Sequence, residues 1–126
     1  MSTHCGIAFK SETGYQTIYC HHDGSPSYML PMLTENHNSE ESAAKLVGLG
    51  DASFIEKKID PTTDAHTFDR PESEVCVFYH RDRGEPWEDT MPENYTKESL
   101  LNYFWYVYIW ENGCWNAYEG GKLVDQ

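Results

Sequence analysis

Residues 18–33 read IYCHHDGSPSYMLPML, placing one Cys, two His and one Asp at consecutive positions. Thiolate, imidazole and carboxylate are the donors zinc takes, provided about four of them converge in space. Neighbouring side chains of a strand point to opposite faces, so Cys20 and His22 share a side while His21 diverges. Neither Cys-x-x-Cys nor His-Glu-x-x-His occurs anywhere in the chain. A metal site would therefore need donors from a second strand, and Cys76 and His80 of CVFYH are the candidates. The same atoms could serve nucleophilic catalysis, with a thiol beside a His base that Asp23 or Asp82 orients. No nucleophile elbow or phosphate-binding loop accompanies them. Buried free thiols beside partly exposed imidazoles are the expectation. No cofactor is expected, with zinc as the lesser alternative.

The second concentration of polar groups is YHRDRGEPWE, residues 79–88. Arg81 and Arg83 could grip a phosphate or carboxylate bidentately. Joined by His22, Asp23 and His80, they would line a site for a small or nucleotide-like ligand. Asp82, Glu85, Glu88 and Asp89 surround the two arginines and compete for them as salt-bridge partners.

Positioning these groups falls to a chain of 126 residues, expected to form a single compact acidic domain over 1–126. Hydrophobic residues make up 39% and aromatic residues 14%, enough for a core and unlike a disordered chain. Residues 5–10 and 15–21 read as a hairpin about SETG, with Tyr15, Thr17, Tyr19 and His21 on one face of the second strand. Ser25-Pro26 predicts a helix start, with either a kink or a second start at Pro31. Ser39 should cap a helix opening on Glu40 and Glu41, packing through Ala43, Ala44, Leu46 and Val47. Residues 51–60 predict another helical turn or an irregular edge, and 61–74 a loop. EVCVFYH, apolar on both faces, predicts an interior strand. Thr96 should cap a short helix, although Ser99 replaces the Glu or Gln of a full capping box. Asn112-Gly113 predicts a two-residue hairpin turn between 103–111 and 114–119, and Leu123 and Val124 a last edge contact. The order implies an α+β fold, a mostly antiparallel sheet with two or three short helices packed on one face.

Charge narrows the partners. Twenty-one Asp and Glu against nine Lys and Arg give −12, which repels nucleic acid and anionic membranes and favours docking on a basic protein surface. Glu85, Trp87, Glu88, Asp89 and Glu93, with Trp110 and Trp115 of the terminal hairpin, are the partner-binding candidates. No stretch reaches the ~20 apolar residues of a membrane span. The first residues lack the basic-then-apolar pattern of a signal peptide, so cytoplasmic residence is expected.

Three segments together, IYCHHDG, VCVFYHRDRGE and YVYIWENGCWNAY, resemble a small uncharacterised family of phage, prophage and mobile-element proteins with IYCHxDG and HRDRGE-like motifs. Ser25 departs from the aromatic residue that would follow the glycine in that pattern. The resemblance carries no catalytic role. It implies an accessory protein that binds and inhibits a host protein in the host cytoplasm, including anti-defence action on a nuclease or CRISPR effector. Small-ligand binding and metal-dependent catalysis are the alternatives.

Overall fold

The computed structural model describes residues 3–124. β1 (Cys5–Ser11) and β2 (Gly14–Cys20) form the expected antiparallel hairpin, with Cys5 opposite Cys20. The Asp23-Gly24 turn then leads into α1 (Pro26–Asn36), which has Pro26 in its first turn and continues through Pro31 as one helix. The ring of Pro31 is exposed, so its clash and missing amide fall on the solvent side. α2 (Glu40–Gly48) is capped as expected, Ser39 accepting from the Ser42 N–H at 3.1 Å. Ala43, Leu46 and Val47 are buried, while Ala44 is exposed.

β3 (Ala52–Phe54) and β4 (Val77–Phe78) follow, then the short helices α3 (Tyr79–Arg83) and α4 (Trp87–Thr90). β5 (Glu93–Tyr95) precedes α5 (Lys97–Tyr103), whose cap does form a box, Ser99 standing in for Glu or Gln. β6 (Tyr106–Glu111) and β7 (Cys114–Glu119) make the terminal hairpin, its turn residues Asn112 and Gly113 at φ 56° and 78°. β8 (Lys122–Leu123) is the final edge.

The expectation of a mostly antiparallel sheet with helices on one face is overturned. The strands lie in the order β4-β3-β2-β1-β6-β7-β8, with β5 also on β2, and the eight-stranded sheet is mixed. β1 runs parallel to β6 and β2 parallel to β3. The β2–β3 direction follows from the helical crossover between them, which returns the chain in the same sense. Five helices are present among the described residues, and they cover both faces. Met29, Leu33, Leu46 and Val47 of α1 and α2 pack with Ile7, Ile18, Tyr108, Trp110 and Trp115. Leu100 of α5 packs on the opposite face with Ala8, Val107, Ile109 and Tyr118.

Residues 75–78 are all buried, as expected of an interior strand, yet β4 lies at the end of the strand order. The preceding loop covers that edge: Cys76 N–H donates to Lys58 O at 2.8 Å, and Lys58 N–H to Glu74 O at 2.9 Å.

Two glycines make close approaches that a side chain would block. A Cβ at Gly24 would lie 2.8 Å from Cys5 Cβ and from Thr3 O, and Tyr108 donates its hydroxyl to the Gly24 carbonyl at 2.7 Å. The glycine of the opening motif is thus a buried structural position, with Asp23 exposed beside it. Gly50 stands at φ +88° with a Cβ position 2.5 Å from the Thr90 carbonyl oxygen. Gly50→Ala is therefore expected to lower unfolding free energy by about 2–3 kcal/mol. Gly48→Ala, facing open space in a helix, should leave stability unchanged or raise it by up to ~1 kcal/mol. Denaturant midpoints of the two variants check the pair, and equal midpoints would refute it.

Candidate functional site

The sequence-predicted ligand residues line neither of the two cavities that share Tyr19, Tyr103 and Phe104. His22 stacks on Phe54 with ring centroids 4.3 Å apart, and Asp23 occupies an exposed turn at φ 58°. His80 donates through Nδ1–H to the Glu85 carbonyl at 2.7 Å and sets its ring edge-on to Trp87. Arg83 lies over the Phe68 ring with Nε 3.6 Å from Glu85. Arg81 is more fully engaged. It donates to Ile59 O at 2.7 Å, to Cys76 O at 2.9 Å and to both carboxylate oxygens of Asp82. Local pairing has consumed the Arg81 guanidinium, whereas Arg83 stays exposed with a single ion pair, to Glu85, among the described residues.

Cys5, Cys20 and Cys76 are buried free thiols, and Cys114 is an exposed one. Burial pushes the Cys76 thiol up to about 12, against the opposing Glu56 N–H and Arg81. Cys5 is likewise raised by burial and by Cys20, its cross-strand neighbour. Among the described residues no three His, Cys, Asp or Glu side chains are gathered so as to hold a metal ion. His66 is fixed as a clamp: its Nδ1 accepts from the Glu72 N–H at 2.9 Å, so Nε2 bears the proton and faces Asp82 Oδ2 at 3.3 Å.

The partner-binding candidates divide. Trp110 and Trp115 are core residues, 6% and 1% exposed, and offer no face to a partner. The alternation along the hairpin turns both indoles under α1 and α2. Trp87, Glu88, Asp89 and Glu93 are exposed, and Glu85 is half-buried.

Sequence reasoning missed the best-formed depression, which lies on the α5 face of β2. A cavity of about 210 Å³ is lined by Tyr19, Asp51, Glu93, Tyr95, Tyr103 and Phe104, together with Thr17 and Ile18. It shares Tyr19, Tyr103 and Phe104 with a wider hollow of about 530 Å³ that extends past His4 to Trp105. Strand register explains the assembly. β5 pairs with β2 so that Glu93 stands opposite Thr17 and Tyr95 opposite Tyr15. The end of α5 then delivers Tyr103 and Phe104, Phe104 passing over Gly6 so closely that a Cβ there would meet its ring at 2.6 Å. Tyr103 and Trp105 are 71% and 64% exposed, the most exposed large hydrophobic side chains of the described chain.

Asp51, immediately before β3, accepts the Tyr19 N–H at 2.9 Å. Burial raises its carboxyl to about 6, the Tyr19 N–H opposing and Glu93 and Glu85 reinforcing the shift. No cation pairs with Asp51 or Glu93 among the described residues. Two covered carboxylates elsewhere have a cation, Glu111 with Lys97 at 3.3 Å and Asp82 with Arg81 at 2.9 Å, while half-buried Glu56 takes the Tyr28 hydroxyl instead. Beyond Tyr19, its hydroxyl lies 2.6 Å from His21 Nδ1 and 2.8 Å from His4 Nδ1. His4 Nδ1 also faces the His21 carbonyl at 3.2 Å, so it bears a proton, and Tyr19 donates to His21. The face shared by Thr17, Tyr19 and His21 was the one visible signal, because alternation alone groups them.

Comparison with family models, with curated proteins and with solved structures returned no match. Among the described residues no helix is long and apolar enough to cross a membrane.

Proposed function

We propose that this protein is a binding module that docks onto a basic surface of another protein and blocks it. The carrying observation is the exposed aromatic face of Tyr103 and Trp105, bordered by two carboxylates that lack a cation. Exposed aromatic rings supply anchoring area at low entropic cost, and the charge of −12 accelerates encounter with a positive partner. Against the nucleotide-ligand alternative, Arg81 already donates to the Ile59 and Cys76 carbonyls and to Asp82. On the motif resemblance alone, the partner proposed is a host protein in the cytoplasm, a nuclease or CRISPR effector in the anti-defence form of this reading.

The test is capture from host lysate by immobilised protein at about 0.15 M salt. One saturable partner is expected. Tyr103→Ala/Trp105→Ala, which keeps every charge, should weaken its retention at least ~30-fold, as loss of an aromatic hot spot does. A partner retained equally by both proteins, or no saturable partner, would refute the proposal.

A further inference from the structure

The cavity between β2, β5 and α5 has a composition that selects its occupant. Four aromatic residues, Tyr19, Tyr95, Tyr103 and Phe104, line it together with Asp51 and Glu93, and no basic side chain lines it. Ring faces carry negative electrostatic potential and attract cations. An anion would meet two carboxylates. A neutral apolar group would strip water from them without compensation. A guanidinium or ammonium group satisfies both components of the lining, stacking on rings while pairing with carboxylate.

Size narrows the choice further. About 210 Å³ falls below the ~300–1,000 Å³ of sites that enclose whole small molecules. It suits the head of a side chain entering from outside, and the 530 Å³ hollow beside it leaves room for the chain that carries the head. We infer that this cavity is a receptor for a single cationic side-chain head group, supplied by an Arg or Lys of the docked partner. The assignment builds on the docking function proposed above, and adds the atom-level reason why the partner must be basic at one point.

Protonation of Asp51 should set the affinity. Facing it are the Tyr19 N–H from β2, Glu93 and Tyr95 from β5, and Glu85 from the loop before α4, with His4 and His21 on the far side of Tyr19. The carboxyl titrates near about 6, so a ligand requiring its ionised form binds about tenfold more weakly at pH 5 than at pH 7.

The experiment is a titration of the full chain, followed by NMR of the aromatic and carboxylate signals. The probes are Nα-acetyl-arginine methylamide, Nα-acetyl-lysine methylamide and its trimethylated form, with the norleucine analogue as neutral control. At least one cation is expected to bind saturably while norleucine does not. Asp51→Asn keeps an oxygen for the Tyr19 N–H and should weaken that binding tenfold or more, as well as flatten the pH dependence. Glu93→Gln, at an exposed position, provides the same test where Asp51→Asn perturbs the fold. Equal response to cations and norleucine, or unchanged affinity in both variants, overturns the receptor. If small cations fail while the Trp105-dependent partner is still captured, the receptor falls and docking stands. If cations bind and no partner is captured, docking falls and the receptor stands.

Discussion

Replacing Asp82 by Ala is expected to lower the free energy of unfolding by about 3–5 kcal/mol, the usual effect of removing one member of a covered ion pair. The Asp82 side chain is 3% exposed and receives three separate groups. Arg81 binds both its oxygens, the Phe78 N–H donates at 2.8 Å, and His66 Nε2 faces it at 3.3 Å. Deleting the carboxylate leaves the Phe78 N–H without its acceptor and removes the counter-charge of Arg81, which keeps only the Ile59 and Cys76 carbonyls. The loop over the β4 edge would lose the His66–Asp82 contact to α3, keeping the Phe68 N–H on the Asp82 backbone carbonyl. Against the ~5–15 kcal/mol that holds a domain of this size together, such a loss is a large fraction.

The same group gives a signature in acid. Burial alone would raise the Asp82 carboxyl, but Arg81, the Phe78 N–H and His66 outweigh it and hold the carboxyl below the usual range. Its contribution is therefore complete above the unfolded value of about 3.9, and disappears as pH falls through the lower folded value. Wild type should lose stability steeply below about pH 4, and Asp82→Ala less steeply there. Denaturant melts from pH 7 to pH 3 measure both. Equal unfolding free energies at pH 7 would refute the clamp.

Trp115→Ala should lower unfolding free energy by about 3–5 kcal/mol through the cavity it opens. The indole is 1% exposed, sits edge-on to Trp110 at 5.6 Å, and donates Nε1–H to the His37 carbonyl at 2.9 Å. It thus ties β7 to the end of α1. His37 continues the connection, its ring donating to the Glu56 carbonyl at 2.7 Å. Trp115→Phe keeps most of the packing and loses the hydrogen bond, so a smaller decrease of about 1–3 kcal/mol is expected. Unfolding curves of the three proteins distinguish packing from hydrogen bonding. A Trp115→Ala protein within ~1 kcal/mol of wild type would contradict a core role. Partner capture should survive in folded Trp115→Phe, since this residue is not on the docking face.

What could be read along the chain was what short-range geometry dictates. Asn112-Gly113 turns because both residues accept positive φ. Ser39 caps because its hydroxyl reaches an amide three residues on. Ser25-Pro26 opens a helix that loses nothing from a missing first-turn amide. Where expectation failed, the deciding partner was remote in sequence. EVCVFYH looked interior because it is apolar on both faces, yet a loop rather than a further strand covers the edge of Val77 and Phe78. The pairing of Arg81 with Asp82 and the contact of Arg83 with Glu85, by contrast, were legible from adjacent residues, and only the Ile59 carbonyl on Arg81 is remote.

By itself the sequence determined the hairpins, the capped helices and the acidic excess, since each depends on residues a few positions apart or on composition alone. The tertiary structure alone decided that the sheet is mixed, that α5 covers the second face, and that Trp110 and Trp115 turn inward. It also decided that Tyr19, Asp51, Glu93 and Tyr103 share one cavity. The reason is physical. Strand direction and side-chain convergence depend on which segments bury one another's apolar faces, and that free energy is settled between elements far apart along the chain.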